Sequence, residues 1–452
     1  MFYVDSGFIL NETNLSKILN EYTTLYLPKL KRYKNYYDGK QDILKKYYDD
    51  ETKPCNRIIK NYCKNIVDNY LGYMVGTPIS YKSDVDINEV QDVLNYNDIS
   101  STDKELLKNA LIYGIAYEIH YIDKLKKQRF VIPDSMGCIP IFSNDLDEEL
   151  KYLIRFYPVD RNDLNSGYYV EIYSETETAT YKTNSGFSSF SFTGCTENVF
   201  SQIPVIMFRL NSDYTNIFDC IVTLQDAYNT LLSSEVDDFE AFCDAYLALY
   251  GVTVDESDLA DMKRNRILVL GADSKAEYLN KNISDTQIEN MLNNISESIE
   301  QIANCPDWNS KTFSSNSSIA IRYKLLGMEN MAAGIETEMK KALQKRIEII
   351  SEFISLIDSE KTWRDIAIVF IRNLPINTVE VSQVVTQLRG LVSDETLLTQ
   401  VPFVTDVAKE MTALKSEAYV KAEGDKANVD NNTIANINNT LSTKNNQQPY
   451  LK

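Results

Sequence analysis

The side chains best suited to catalysis are scarce in this sequence and are not spaced for a known reaction. The single histidine, His120, lies in the alternating segment Tyr117–Ile122, which predicts a structural histidine on a sheet face. A Ser-His-Asp arrangement would have only this one base. The seven cysteines contain no C-x-x-C pair and do not predict a zinc site. No G-x-x-x-x-G-K-[ST] or G-x-G-x-x-G motif occurs. The sequence therefore predicts a protein that is not an enzyme and that holds no metal or cofactor.

Charge is strongly patterned along the chain. There are 46 Lys and Arg against 65 Asp and Glu, a formal net charge of −19, whereas a simple nucleic-acid binder is usually basic. No Lys or Arg occurs between Arg209 and Lys263. The acids of this stretch that are candidates for lining a channel are Glu235, Asp237, Asp238, Glu240 and Asp244.

Two kinds of role explain these acids. If subunits formed a ring with this helix along a channel, each acid would become a ring of acids. DNA in the channel would then be repelled from the wall, because the field reaches about 8 Å in physiological salt. A solvent-exposed helix face or a subunit interface explains the same pattern, and the sequence leaves these alternatives open.

Hydrophobic periodicity predicts an α+β protein in which helices flank a region of antiparallel strands. Apolar residues three and four apart predict helices, with a break or kink at Pro28, over Leu15–Leu44, Asn56–Tyr73, Ile87–Leu94, Asp103–Tyr113, Ile217–Leu249, Asp285–Ala303, Ser317–Ile357, Val379–Arg389 and Thr405–Lys421. Alternating or β-rich segments predict strands over Tyr117–Ile122, Arg129–Ile132, Tyr152–Tyr157, Tyr168–Tyr173, Ala179–Lys182, Val205–Phe208 and Asp365–Ile371. Long amphipathic helices usually need neighbours to cover them, which argues weakly for a ring or a bundle.

No membrane association is predicted. The N-terminus has neither a basic region nor an apolar region of the kind found in signal peptides. No apolar run approaches the roughly 20 residues that cross a bilayer. We therefore expect the protein to be made and kept in the cytoplasm, or in something assembled there.

The order and spacing of several segments resemble the portal proteins of siphophages of Gram-positive bacteria, over nearly the whole chain. The segments are Tyr36–Lys40, Asn56–Ile59, Ile66–Ile79, Asp226–Asn229, Asp237–Phe239, Ala245–Leu247, Cys305–Trp308, Phe313, Ser318–Glu329, Arg372–Pro375 and Leu388–Ser393. No single segment is specific, but their order and spacing together are. The likeness is strongest over Asn304–Glu329.

The resemblance implies the portal fold, with a wing, a helical stem, a small α/β clip and a helical crown, assembled as a ring of twelve subunits. By position, residues 1–211 would be the wing, 212–249 the first stem helix, 250–284 the clip, 285–303 the second stem helix, 304–316 a tunnel loop, 317–358 a long connecting helix, 359–421 the crown region and 422–452 a disordered tail.

The resemblance also implies that the tunnel loop projects into the channel beside DNA. The predicted DNA-facing residues are Asn304, Asp307, Trp308, Asn309, Ser310, Lys311, Thr312, Ser314 and Asn316. Amides and hydroxyls of this kind contact phosphates without reading bases. Lys311 is the only cation of the loop, so a ring would offer weak, sequence-independent contacts that suit sliding. Trp308 and Phe313 could stack on DNA bases, but side chains of this kind more often anchor a loop against the stem. The loop lacks the glycines frequent in the family, which predicts reduced mobility.

For the clip, the resemblance implies contact with the terminase large subunit and later with a head–tail adaptor protein. The predicted partner-binding residues are Asp255, Glu256, Asp258, Asp261, Lys263, Arg264 and Arg266. The other implied partners are double-stranded DNA, the major capsid protein and the scaffold. The implied location of the protein is the portal vertex of the virion. Two alternatives remain open: a minor capsid or adaptor protein without a DNA channel, and a packaging enzyme, which the missing phosphate loop disfavours.

Overall fold

The structure is a computed structural model that describes residues 2–5, 7–49, 53–243, 247–250, 275–278, 285–307, 318–355, 363–373, 378–399, 401, 404 and 407–416. The chain divides into two compact units, residues 1–373 and 374–452. In the first unit the helices are α1 (Glu12–Glu21), α2 (Leu27–Tyr37), α3 (Tyr62–Val75), α4 (Asn88–Tyr96), α5 (Ile99–Tyr113), α6 (Val222–Cys243), α7 (Asp285–Ile302) and α8 (Ser318–Ser355). The second unit contains α9 (Thr378–Leu388), α10 (Asp394–Thr399) and a helix over residues 407–416.

The described strands all lie in the first unit. They are β1 (Phe2–Val4), β2 (Ser80–Lys82), β3 (Ile115–Ile122), β4 (Gln128–Val131), β5 (Cys138–Ser143), β6 (Leu150–Asp160), β7 (Asp163–Tyr173), β8 (Glu177–Thr183), β9 (Phe190–Glu197), β10 (Val205–Arg209), β11 (Leu247–Tyr250), β12 (Lys275–Tyr278) and β13 (Ala367–Val369). The largest sheet has the order β1-β5-β6-β7-β8-β9 and a smaller one the order β10-β3-β4. Only β1 pairs in parallel, with β5, among the described pairs. The predicted mixture of helices and antiparallel strands is confirmed.

Both faces of the large sheet are covered where β5 and β6 pair. On one face Ile154 belongs to a core formed with Leu15 and Leu19 of α1. On the other face Leu153 packs with Tyr117 of β3. Because successive side chains of a strand point to opposite faces, one strand contributes to two cores. The small sheet and the helices are thereby fixed on opposite sides of the large one.

The predicted break at Pro28 is present, and it falls one turn before the proline. Residues Tyr22–Tyr26 form a π-helical turn between α1 and α2, in which the amide of Leu27 donates to the carbonyl of Tyr22. Proline removes a donor and clashes with the carbonyl four residues earlier. The Thr23 hydroxyl donates to the carbonyl of Leu19 at 2.8 Å, which supplies a partner to a carbonyl at the irregular turn.

Two predicted helices are shorter than expected. The helix predicted over Asn56–Tyr73 begins at Tyr62, because the residues before it bind the side chains of α6. The helix predicted over Ile217–Leu249 ends at Cys243, and Leu247–Tyr250 is instead a strand paired with Lys275–Tyr278. Leucines and tyrosines fit either structure, and the distant partner strand decides between them.

Among the strands that the sequence did not predict are β1, β5 and β9. β5 contains Pro140, which argues against a strand from sequence alone. Pro140 pairs with Leu153 on one side, but pairing with β1 begins only at Ile141.

The region predicted as the crown was placed from residue 359 onward. Strand β13, however, pairs with β2, and residues up to 373 belong to the first compact unit. The region predicted as the crown, residues 359–421, therefore spans the boundary between the two units.

The long helix α8 is joined to the sheets by a buried arginine. Arg346 is 0% exposed. Its Nε and Nη2 donate to the two carboxylate oxygens of Glu118 on β3 at 2.8 and 2.5 Å. Its Nη1 donates to Asp103 of α5 at 2.5 Å and to the Tyr81 hydroxyl of β2 at 3.1 Å. One guanidinium thus connects four elements.

His120 extends the same network and is buried, as a structural histidine should be. Its Nε2 lies 3.0 Å from Glu118 Oε1, and its Nδ1 lies 3.0 Å from Gln128 Nε2. Burial by itself raises the pKa of Glu118, but Arg346 and the hydrogen bond from His120 outweigh it and lower that pKa to about 2. This carboxylate therefore stabilises the fold fully above its ordinary pKa of about 4.3 and loses that effect only as pH falls toward 2.

We expect Arg346→Met to lower the free energy of unfolding by about 3–5 kcal/mol, because Glu118 and Asp103 would stay buried without their cation. Denaturant unfolding followed by circular dichroism measures this change. The matched control is Lys345→Met, which removes a surface pair with Glu348 at 2.8 Å and should change stability by at most about 0.5 kcal/mol. Equal losses in the two variants would contradict the assigned role.

Candidate functional site

The predicted acidic helix α6 carries a row of buried polar side chains that hold an extended segment, residues 56–62. Alternate backbone amides of this segment donate to side chains that are four residues apart on α6. The pairs are Asn56 to Asp237 at 2.6 Å, Ile58 to Ser233 at 2.9 Å, Lys60 to Asn229 at 3.1 Å and Tyr62 to Gln225 at 2.9 Å. We call these four pairs the amide ladder.

The ladder is possible because the spacing of every fourth residue along the helix nearly equals the spacing of every second residue along the extended segment. Four residues of an α-helix rise about 6 Å, and two residues of an extended chain rise about 6.6 Å. The acceptors on α6 are also fully or almost fully buried: Gln225, Asn229 and Ser233 are 0% exposed. Gln225 additionally donates to the carbonyl of Lys60 at 2.9 Å. Sequence analysis missed this role, although polar residues at every fourth position of an apolar helix were its signal.

The ladder changes the interpretation of Asp237, which was predicted to line a channel. Its oxygens accept from the Asn56 amide and from Lys46 Nζ, the latter at 2.7 Å. Burial by itself raises the pKa of Asp237, but these donors keep it below its usual range. Asp237 is 8% exposed and its charge is compensated by Lys46, so it has a structural role within the subunit.

The other predicted acids of α6 differ from Asp237. Glu235 and Asp238 are half-buried and Glu240 is exposed. Glu240 accepts from the side-chain amide of Asn56 at 2.9 Å. Asp244 lies outside the described residues, as do the predicted clip residues Asp255, Glu256, Asp258, Asp261, Lys263, Arg264 and Arg266.

The base of the predicted tunnel loop is a helix end with a defined cap. Asn304 follows α7 with a left-handed φ of 49°, a conformation that usually requires glycine. Its amide donates to the carbonyl of Gln301 at 3.3 Å, and the Cys305 amide donates to that of Glu300 at 3.1 Å. These two bonds form a Schellman motif, which satisfies carbonyls at the helix end. Asn304 is thus a helix cap, a role that the sequence analysis did not assign.

Helix α3 and helix α8 hold this cap from two sides. The Tyr70 hydroxyl donates to the carbonyl of Ala303 at 3.0 Å. The side-chain amide nitrogen of Asn69 lies 3.3 Å from the buried Cys305 sulfur. Burial raises the pKa of the Cys305 thiol to about 11. A Cβ on Gly327 of α8 would lie 2.5 Å from Asn304 Oδ1, so glycine permits the close approach. The loop therefore leaves the helix from a fixed point.

Only Asp307 of the remaining predicted loop residues is described, and it is exposed. Burial, together with the charge of Asp307, raises the pKa of Glu300. The loop residues that lie outside the described chain are Trp308, Asn309, Ser310, Lys311, Thr312, Ser314 and Asn316.

The described residues contain no group of three or more His, Cys, Asp or Glu placed to hold a metal ion. None of the helices in the described ranges is long and apolar enough to cross a membrane. The polar side chains singled out above bind other parts of the same chain.

Comparison with known proteins identifies the class. The model of the family described as "Phage portal protein, SPP1 Gp6-like" matches residues 16–423. The chain belongs to the phage portal protein family, which is a family of structural proteins and makes it a component of the phage particle.

Individual relatives agree with this family. The portal protein of Clostridium phage phiCD119 is 23% identical over 422 residues, covering 86% of this chain and 92% of the relative. The portal protein of Bacillus phage SPP1 is 22% identical over 448 residues, covering 91% and 87%. A chain of a solved structure titled "Neck of empty GTA particle computed with C6 symmetry" has a TM-score of 0.48 and 13% identity, covering 75% of this chain and 90% of that chain.

The amide ladder predicts different effects for two adjacent serines. We expect Ser233→Ala to cost about 1–3 kcal/mol, because the amide of Ile58 would be left without an acceptor. Hydrogen–deuterium exchange of the peptide containing residues 56–62 should rise in the same variant. In the control, Ser234→Ala, both quantities should stay within error, since alanine favours a helix. Unchanged exchange in Ser233→Ala would refute the ladder's role.

Proposed function

We propose that this protein forms a ring at one vertex of the capsid, through which double-stranded DNA enters during packaging and leaves during ejection. The observation that carries the proposal is the family match over residues 16–423. The expected ring has twelve subunits. In the proposed subunit, residues 1–211 form the wing, 212–249 and 285–303 the stem helices, 250–284 the clip, 304–316 the tunnel loop, 317–358 the long connecting helix and 359–421 the crown region.

The acidic stretch supports a channel that repels DNA from its wall. Between Arg209 and Lys263 the sequence contains no cation. Of the acids predicted to line the channel, Glu235 and Asp238 project from α6 on the side away from the ladder, and these two are the proposed lining within the described helix. Repeated around a ring, they would keep phosphates away from the wall, which favours sliding over binding.

The proposed partners follow from the same function. The clip would bind the terminase large subunit first and the head–tail adaptor protein later, through Asp255, Glu256, Asp258, Asp261, Lys263, Arg264 and Arg266. The wing would contact the major capsid protein and the scaffold. DNA would be contacted without regard to sequence, through residues 307–316.

Negative-stain microscopy of the purified full-length chain tests the proposal directly. We expect rings with a central hole wide enough for duplex DNA, which is about 20 Å across by the groove dimensions of B-DNA. A chain that remains a monomer at every concentration and salt condition would refute it. A solid assembly without a hole would favour the adaptor or minor capsid alternative.

The contribution of Lys311 is tested by a charge reversal in phage assembly. We expect Lys311→Glu, or deletion of residues 307–316, to leave ring assembly intact and to reduce the amount of packaged DNA. The physical reason is that the loop's only cation would become a further negative charge facing the phosphates. DNA content of purified particles is the measurement.

The matched control for Lys311→Glu is Lys104→Glu, which makes the same charge change at an exposed position of α5. It should package normally. Normal DNA content in particles with the loop deletion would show that the loop has no role in packaging, while ring images would still test the channel separately.

A further inference from the structure

Four lysines from three helices lie close together on the surface of the first unit. The ammonium groups of Lys34 on α2, Lys64 on α3 and Lys108 on α5 lie 5.6, 4.8 and 5.3 Å from the centre of the Tyr37 ring. Lys31 is exposed and precedes Lys34 by three residues, which places both on the same side of α2. We call these four lysines the lysine cluster.

The lysine cluster carries more positive charge than its own chain compensates. Lys34 and Lys64 each pair with an acid four residues later on the same helix or at its end. In the part of the chain that the structure describes, neither Lys31 nor Lys108 forms an ion pair with an acid. The chain as a whole has a formal net charge of −19. A local excess of positive charge in so acidic a protein favours a partner with an acidic surface.

An acidic surface of this kind is present elsewhere on the same unit. An open groove of about 780 Å³ lies between the end of α7 and the beginning of α8. The charged residues among those that line it are three acids, Glu297, Glu300 and Asp307, and one cation, Lys324. Burial, together with the charge of Asp307, raises the pKa of Glu300. A further cation brought into the groove would therefore interact favourably with these carboxylates.

Large apolar side chains are exposed on both helices that form the groove. They are Met291 and Ile302 on α7 and Tyr323 and Leu326 on α8. The two on α8 are next in sequence to residues that line the groove. Single exposed apolar residues are common, but several beside one groove are typical of a surface that another protein covers. DNA does not fit this surface, because its phosphates would be repelled by the carboxylates.

The lysine cluster and the groove lie on opposite sides of α3. Lys64 donates to the Tyr37 hydroxyl of α2 at 3.3 Å. Nine residues later, the Tyr73 hydroxyl donates to Glu329 of α8. Nine residues turn an α-helix through about 900°, so these two side chains point in opposite directions. A subunit that is basic on one side and acidic on the other can join its copies head to tail, and a contact of this kind forms a closed ring when the rotation allows it.

We propose that the lysine cluster of one copy of this chain docks into the α7–α8 groove of the next copy. The inference rests on the ring of the proposed function and adds the two surfaces that meet in it. Opposite charges orient the copies before they touch. The apolar stems of the lysines then cover the exposed apolar side chains while their ammonium groups reach the carboxylates. Two identical surfaces repel each other, which disfavours pairs that could not extend into a ring.

Reversing the charge of each surface tests this contact. Lys31→Glu with Lys108→Glu makes the lysine cluster acidic, and Asn293→Lys with Glu297→Lys makes the groove basic at two exposed positions of α7. We expect the fraction of chains in rings to fall at least tenfold in each double variant alone. Negative-stain microscopy and sedimentation velocity measure that fraction. Circular dichroism spectra should match that of the unmodified chain, which shows that the subunit still folds.

Mixing equal amounts of the two double variants should restore the rings. In the mixture each reversed surface meets the reversed surface of the other variant, and the unmodified surfaces meet each other. The matched control is Lys124→Glu with Lys182→Glu, which makes the same charge change at exposed positions near β3 and on β8 and should form rings as the unmodified chain does.

Two results would overturn the proposed contact while the ring itself stands. In one, the unmodified chain and the lysine-cluster variant form rings equally well. In the other, both double variants lose their rings and the mixture forms none. An unmodified chain that forms no rings at all would instead refute the proposed function, and this contact with it.

Discussion

The fold of the first unit depends on one buried guanidinium. Arg346 offers donors in a fixed planar fork, and it uses them toward Glu118, Asp103 and Tyr81. These partners come from a strand, a helix and a second sheet. Apolar packing alone would let the 38-residue helix α8 rotate or slide, since such contacts are non-directional. The arginine fixes its rotation and register, and removing it would leave buried carboxylates unpaired.

A second directional contact fixes the other long helix. The amide ladder joins α6 to residues 56–62 by bonds to the backbone, so the register does not depend on which side chains the extended segment carries. Two further polar contacts hold the same helix. The Tyr36 hydroxyl donates to Asp226 at 2.7 Å, and Lys46 forms an ion pair with Asp237 at 2.7 Å. Arg346 and the ladder thus position the two longest helices, α8 and α6, by polar contacts.

Periodicity predicted most helices and strands because burial of one face decides them. It could not predict contacts between distant segments. Arg346 follows Lys340, Lys341 and Lys345 in sequence and looks like part of a charged surface, yet it is the buried member. Asn56–Asn61 has an apolar helical pattern, but ladder bonds to α6 keep it extended. Of the candidate site, the sequence identified the acidic helix and the loop position. The sequence could not show that Asp237 pairs with Lys46 of the same chain whereas Glu240 does not.

The internal pairing of acids changes what α6 offers to a neighbour or to DNA. Asp226 and Asp237 face Arg32 and Lys46, so their charges are largely cancelled at short range. At about 100° per residue around the helix, Glu235 and Asp238 project from the side away from the ladder, whereas Glu240 lies on the ladder side, where it accepts from the side-chain amide of Asn56. In the proposed channel, a polyanion passing the side away from the ladder would meet fewer charges than the sequence suggests, all of one sign. Such weak repulsion would favour sliding, whereas the compensated acids on the ladder side stabilise the subunit.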